Sequence, residues 1–430
     1  MTLSQGAAAY PARQAGASAF PALLFIGTFL FCWISPSPFG DLGTLEGGSQ
    51  ALDQLVALGL AVLALGFAAS AGLLTELLRP RWIILLAFAS LAVSSLAAPE
   101  VGTALRRLFV AGLFCVNASL FLLLPRDRKQ FAALLALCVG AVIAMSYFGV
   151  LALPGRAIHQ ASDVMEPQLA GDWRGVFDHK NMAAPAMVVL VFFSLYLARR
   201  WSRAGGWILA GLAFVFLIQT NGKSALGLLP LSMALGWLLE RRPWLGALVL
   251  LTVLAGVNLF TVGTAFDEAL RDFVAGLGID ATFTSRADVW NVAMMGITER
   301  PWMGHGFQSF WRSEALLTSQ AASETWAVTA AHAHNAYLEM LLDGGAIALV
   351  LMVVWLIVLP LGDIARAYRR NADRALTRLY VRIWVLGLLV ACMESNFFTH
   401  VGPMWFSLLV AVFGLNLQAR ADVITEREER

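Results

Sequence analysis

The sequence predicts an all-α, polytopic integral membrane protein of about twelve transmembrane helices, with a large, partly helical loop on the non-cytoplasmic side. Three observations predict it. Hydrophobic residues make up 59% of the 430-residue chain and charged residues only 13%, about half of the ~25% usual in a soluble domain. Apolar runs of roughly eighteen residues or more recur from end to end, each long enough to cross the hydrocarbon core as a helix. Arginine and lysine gather in alternate connections, which the positive-inside rule makes cytoplasmic. Nothing extended enough for a separate soluble domain remains. The net charge of +2 is too small to argue for nucleic acid as a partner.

Taken in order, the chain before Ser18 is small and polar with one Arg13. The apolar stretch Ala19 to Ile34 imitates a signal peptide, but its exit Ser35-Pro36-Ser37-Pro38 lacks a small-residue cleavage site, so a retained first helix is expected. Spans are expected at about 18–35, 52–78, 82–98, 104–124, 130–153, 182–199, 205–219, 224–239, 243–263, 336–361, 380–397 and 402–418. The chain then divides into five helices over 1–153, an outer loop at 154–181, four helices over 182–263, a long outer loop at 264–333, three helices over 334–418, and a cytoplasmic tail at 419–430. Arg13, Arg79 with Arg81, Arg126 with Arg128 and Lys129, Arg199 with Arg200 and Arg203, Arg241 with Arg242, and the group Arg366 to Arg378 fall on the cytoplasmic side of this scheme. Arg106-Arg107 break the pattern. The scheme puts them at an outer helix start, where a shifted boundary or an acidic partner would account for them. Cys32, Cys115, Cys138 and Cys392 lie in apolar stretches without metal-type spacing, as small buried hydrophobes do, and imply no disulfide framework.

The two outer loops are longer than turns require, and loops of that length are functional or disordered. Disorder fits poorly with the aromatic load of the second, which includes Phe266, Phe273, Trp290, Trp302, Phe310 and Trp326. Within it, Val289, Val292, Ala293 and Ile297 recur at helical spacing, so 285–298 reads as a short amphipathic helix ending before Pro301.

The polar residues of interest cluster in these loops and at the adjoining helix ends. The first loop closes with Gly171-Asp172-Trp173-Arg174-Gly175-Val176-Phe177-Asp178-His179-Lys180-Asn181, two cations, a histidine and two acids at a membrane boundary. Lys180 alone could simply snorkel to headgroups. In the second loop, Arg286 reads either as a solvated surface group or, with Arg174, as a clamp on a pyrophosphate, because the guanidinium fork matches phosphate oxygens bidentately. The same loop carries Pro301-Trp302-Met303-Gly304-His305-Gly306. At the tenth helix stands His332-Ala333-His334-Asn335-Ala336-Tyr337-Leu338-Glu339. The i, i+2 histidine spacing does not share one helix face and argues against a metal site. It suits either a general base for a sugar hydroxyl or a helix-capping cluster. Lys223 and Glu394, near outer helix ends, read as substrate-binding or catalytic groups, or as structural ion pairs.

In this order, the residues resemble the O-antigen ligase and polymerase family, and within it the exopolysaccharide polymerase branch. The resemblance rests on Trp173-Arg174-Gly175-Val176-Phe177 with His179-Lys180-Asn181, Ser285-Arg286 with Trp290, Pro301 with Gly304-His305-Gly306, His334-Asn335 with Tyr337-Leu338 and Gly344-Gly345, and Glu394-Ser395. It runs from about residue 170 to the C-terminus; the first 150 residues match only as hydrophobic helices.

The resemblance implies an inverting, metal-independent glycosyltransferase without cofactor, in the bacterial inner membrane with its active site and both outer loops facing the periplasm. Its donor would be a glycan on undecaprenyl pyrophosphate and its acceptor a glycan or lipid A-core, with a flippase and a chain-length regulator as partners in polysaccharide assembly. The implied catalytic residues are Arg174 and Arg286 on the pyrophosphate and His334 as base, with His332 open as an alternative. His179, Lys180, Asn181, Lys223, His305, His332, Asn335 and Glu394 would contact substrate. Lys223 departs from the family, which often has arginine there. Polymerisation of repeat units is the leading expectation. Ligation to lipid A-core and, from another class, transport of a lipid-linked or polyanionic glycan are the rivals, with an assembly scaffold as a third; no internal repeat of the transporter kind is evident.

Overall fold

The structure is a computed structural model that describes residues 19–34, 38–39, 50–163, 166–278, 280, 283, 286–370, 372–399 and 402–420. Arg13, the exit at 35–37, Thr284, Ser285 and most of the tail at 419–430 lie outside them. Among the described residues every regular element is a helix, and one stands at each of the twelve expected places. We number these α1 Phe20–Trp33, α2 Gln50–Ser70, α3 Arg81–Ser95, α4 Val101–Phe121, α5 Arg128–Ala152, α6 Lys180–Arg200, α7 Arg203–Gln219, α8 Lys223–Arg241, α9 Pro243–Val262, α10 Ala336–Val353, α11 Arg374–Val390 and α12 Pro403–Arg420. α10 continues through a π-turn at Val354–Val358 into Leu359–Arg369.

Among the described residues six segments are long and apolar enough to cross a membrane: Ala51–Ser70, Val101–Phe121, Arg128–Ala152, Lys180–Arg200, Pro243–Ala265 and Ala336–Arg369. Three more helices, α1, α3 and α7, are apolar but shorter. α11 carries Arg374, Arg378 and Arg382 at four-residue intervals, which lowers its hydropathy while leaving its opposite face apolar.

Burial separates a centre from a rim. α12 is buried along nearly its whole length, Trp405 included, and α6 and α11 present Phe192 and Trp384 to the same interior. By contrast α2 and α9 leave Leu55, Val62, Leu248 and Leu251 exposed, as suits helices whose outer solvent is lipid. α6 and α7 form a close hairpin because Gly206 lies directly against the Ala198 backbone, where no Cβ would fit. The four cysteines are all buried and unpaired, as expected for small apolar residues.

Charge marks one end of the bundle. Asp373 receives Arg200 at 2.8 Å and Arg128 at 3.5 Å, and Glu240 receives Arg378 at 2.5 Å. Three of the arginine-rich connections that the sequence puts on one side thus meet in space, which is the arrangement alternation requires.

The large loop is partly helical, with Glu268–Gly276, Arg286–Glu299 and two single turns. The second of these helices buries Val289, Val292, Ala293 and Ile297, the face expected from their spacing, together with Trp290. The loop is sewn to α10 where that helix breaks. Gly345 has φ +66° and ψ −166° inside α10, a conformation that side chains rarely adopt. The break frees backbone groups that the loop takes up: His305 N donates to Leu342 O at 2.7 Å, Gly306 N to Asp343 O at 3.1 Å, and Ala346 N to Pro301 O at 2.8 Å. α3 completes the seam, Ser94 Oγ donating to Asp343 O at 2.6 Å while accepting from Gly306 N.

This seam gives a stability prediction. A Cβ at Gly345 would collide with the Trp302 backbone, whereas one at Gly140 in α5 would meet nothing. Gly345→Ala is expected to cost about 2 kcal/mol or more, and Gly140→Ala to be neutral or mildly stabilising. Thermal melting of the two purified variants checks it; equal melting points would remove the seam's importance.

Candidate active site

At the other end of the bundle, four helix ends converge on a cleft. α6 and α8 begin there and α11 finishes there, and the loop helix Arg286–Glu299 also starts there, so its wall includes Asn181, Pro185, Gly222, Ser224, Arg286 and Glu394. Helix N-termini expose unpaired N–H groups and the positive end of the peptide dipoles. Three of them around one cleft, with a guanidinium beside them, form a site suited to an anion such as phosphate. α6 owes its start to His179, the N-cap, whose Nδ1 accepts from Asn181 N at 3.1 Å.

Glu394 was expected inside the eleventh span. The helix ends at Val390 instead, and Glu394 sits in the turn beyond it. Its Oε1 receives Arg286 Nη2 at 2.7 Å, and its Oε2 lies 3.2 Å from His334 Nδ1. Arg286 donates further to the Met393 carbonyl oxygen. Burial pushes the Glu394 carboxyl up, but the hydrogen bond from His334 and the charge of Arg286 outweigh it and hold it down to about 2. A carboxylate only accepts. His334 therefore donates from Nδ1, and in the neutral ring Nε2 carries the lone pair.

His332 is set up the opposite way. Its Nδ1 accepts from His334 N at 3.3 Å, so the proton of the neutral ring lies on Nε2. Burial, with the neighbouring His334 adding to it, lowers its pKa to about 4. The two rings are 4.1 Å apart, but only His334 combines a free acceptor nitrogen with a carboxylate behind it. It holds this position with φ +49°, in the left-handed region.

The remaining predicted residues divide between cleft and framework. Asn335 is fully buried as the N-cap of α10, its Oδ1 accepting from Tyr337 N and Leu338 N, while its Nδ2 donates to Asn258 Oδ1 at 2.8 Å and Cys392 O at 3.0 Å. His305 Nε2 lies 2.8 Å from Gly296 O, tying its loop to the helix that carries Arg286. The Asn335 amide is thus fully engaged, whereas His305 keeps its second ring nitrogen. Lys223 begins α8 beside the cleft and is exposed, with no ion pair among the described residues.

Arg174 is only 3% exposed. Its Nη1 donates to Asp178 O at 3.1 Å, and it lies in a knot of charges at the start of α6. There His179 Nε2 meets Glu166 at 2.7 Å, Lys180 Nζ meets Asp172 at 2.5 Å, and the His159 ring packs on that of His179. The cleft wall holds Arg286 but not Arg174; Asn181 is the residue of the first-loop motif that reaches it.

Sequence reasoning passed over His159 and Glu166, which cap and brace α6, and Ser224 and Asn258. Their signal was faint, for single polar residues in loops and helix ends are common. Among the described residues the chain is thus all-helical, with several helices long and apolar enough to cross a membrane and a cleft walled by helix starts, Arg286 and Glu394. Residues 180–353 match the family model described as O-antigen ligase. That segment is thus an O-antigen ligase family domain, and the family implies membrane glycan processing of ligase or polymerase type on lipid-linked glycans. The matched segment includes Lys180, Asn181, Lys223, Arg286 and His334; Arg174, His179 and Glu394 lie outside it. None of the curated proteins matches the chain.

The depressed Glu394 carboxyl has a pH signature. Because its folded pKa is below the ordinary 4.5, the stability it contributes is present above about pH 4.5 and lost as pH falls toward 2. Melting of the purified protein is expected to fall across that window. Glu394→Gln should melt lower at neutral pH and lose part of that fall; identical pH dependence in both proteins would show that the ion pair does not contribute.

Proposed function

We propose that the protein is a membrane glycosyltransferase that transfers an oligosaccharide from undecaprenyl pyrophosphate to an acceptor glycan, polymerising exopolysaccharide or O-antigen repeat units. It works in the bacterial inner membrane with the cleft facing the periplasm. The observation that carries this reading is Glu394, which holds an anion-binding arginine with one oxygen and a general base with the other.

The lipid tail stays in the bilayer while the pyrophosphate enters the cleft against Arg286, the starts of α6 and α8, and Lys223. His334 Nε2 takes the proton of an acceptor hydroxyl as its oxygen attacks the anomeric carbon. The bond from that carbon to the pyrophosphate oxygen breaks, and one displacement inverts the configuration. Negative charge grows on the leaving pyrophosphate, where fixed guanidinium and helix dipoles stabilise it without solvent having to reorganise. A divalent cation would supply the same kind of charge, so the reading is metal-independent. The imidazolium that forms is stabilised by Glu394 in the way a carboxylate supports histidine in other acid–base pairs. Arg174 serves as a positioning residue that fixes the start of α6 and hence Asn181.

Joining of glycan to lipid A-core is the second reading, favoured by the description of the matched family. It shares the donor chemistry and differs in the acceptor.

The test is genetic and chemical. In a strain lacking the gene, Arg286→Ala, His334→Ala and Glu394→Gln variants that insert normally are expected to lower polymer yield by about a hundredfold or more. Single lipid-linked repeat units should accumulate. Unchanged polymer length and yield would overturn the assignment, and accumulation of long lipid-linked chains would convert the polymerase into a ligase.

A further inference from the structure

On the far side of the His332–His334 turn lies a larger cavity, of about 750 Å³, whose wall includes Arg106, Arg107, Trp311, Arg312, His332 and Asp343. Neighbouring residues divide the two spaces: Glu394 lines the cleft of Arg286, and Ser395 lines this cavity. The histidine pair spans the partition, since His332 faces the cavity and its ring is 4.1 Å from that of His334.

One wall of the cavity is formed by α10 and is both polar and buried. Asp343 is 1% exposed, with Oδ1 accepting from Gln308 N at 2.8 Å and Oδ2 without a hydrogen-bond partner among the described residues. A buried carboxylate oxygen left without a donor is costly, and a ligand hydroxyl would satisfy it. Glu339, four residues earlier and so on the same helix face, also lines the space, its Oε2 accepting from Ala333 N and Ser395 Oγ. Across from them α4 contributes Arg106 and Arg107. Arg107 donates to the Gln308 carbonyl oxygen, which joins its guanidinium to the same short segment that covers Asp343. Arg106 is exposed and makes no ion pair among the described residues.

We infer that this cavity binds the hydroxyl-rich terminal sugars of the acceptor glycan, an inference that rests on the transferase reading. A sugar hydroxyl both donates and accepts. The carboxyl groups of Asp343 and Glu339 hydrogen-bond its hydroxyls, guanidinium groups at Arg106 and Arg107 supply donors to its oxygens, and Trp311 offers an aromatic surface. Such a wall, part aromatic and with a few convergent polar groups, is the ordinary make-up of a small-molecule site. The inference also accounts for the two arginines that break the charge pattern along the chain. They stand on the side where arginine is avoided because they are ligands for substrate, not topological markers. The His332 ring that faces such a hydroxyl lies 4.1 Å from the ring of His334.

The test separates acceptor from donor. Full-length protein in lipid nanodiscs is titrated with undecaprenyl pyrophosphate, and the same variants are scored for polymer in the deletion strain. Arg106→Gln and Asp343→Asn should bind undecaprenyl pyrophosphate within about twofold of the parent, yet lower polymer yield by about tenfold or more. Arg286→Ala should lose the binding. Polymer unchanged in Arg106→Gln, or carrier binding weakened as much as in Arg286→Ala, would overturn the acceptor assignment. Should Asp343→Asn fail to fold, the exposed Arg106 decides alone. If Arg286→Ala and His334→Ala also left polymer intact, the transferase reading itself would fall, which is a distinct outcome.

Discussion

The carboxylate of Glu394 joins two residues that the chain brings from far away, Arg286 at 108 positions and His334 at 60. Each belongs to a different element: Arg286 opens the helix of the large loop, His334 ends that loop, and Glu394 follows α11. The ion pair is largely shielded from water, where attraction is stronger and an unpaired charge is expensive. Loss of the carboxylate would leave Arg286 uncompensated and His334 free to change tautomer. The other contacts of this region, from the Asn335 cap on α10 to Ser395 beside it, serve to keep that one carboxylate in place.

Much of the fold was legible in the sequence because the bilayer imposes a single rule. Backbone groups in hydrocarbon must be satisfied within the segment, so apolar runs become helices and their places follow from hydropathy. The spacing of Val289, Val292, Ala293 and Ile297 likewise fixed the buried face of the loop helix. The site was only half legible. His334 and Arg286 were identifiable as residue types at helix ends, but their link through Glu394 spans elements that no periodicity relates. The choice between His332 and His334 depended on which ring nitrogen faces a carboxylate, a matter of ångströms. Arg174 reads from charge and motif as one half of a clamp with Arg286; its burial and its bond to the Asp178 carbonyl oxygen are features of the folded chain that no spacing announces. Asn335 caps α10 and His305 bonds the Gly296 carbonyl oxygen, framework contacts that polar side chains next to helix ends commonly make.

Cleft and cavity lie back to back with only the turn at 332–334 and the Glu394-Ser395 step between them. That partition matches the separate demands of the two proposed substrates. A pyrophosphate calls for positive charge at helix starts, and a sugar calls for mixed donors and acceptors. Neither lining would suit the other ligand well, so orientation of the reactants follows from chemistry as much as from shape.

The break in α10 at Gly345 has a bearing on how the molecule is built. The carbonyls and amides it leaves open find their partners in the segment Pro301–Gly306 and, through Ser94, in α3. Both are synthesised before α10. When α10 emerges, its irregular turn has a ready-made template on either side, and until it arrives the loop has no continuous surface to settle on. Order in the loop and in the second half of α10 therefore rests on the same backbone hydrogen bonds, to which a late helix contributes one side.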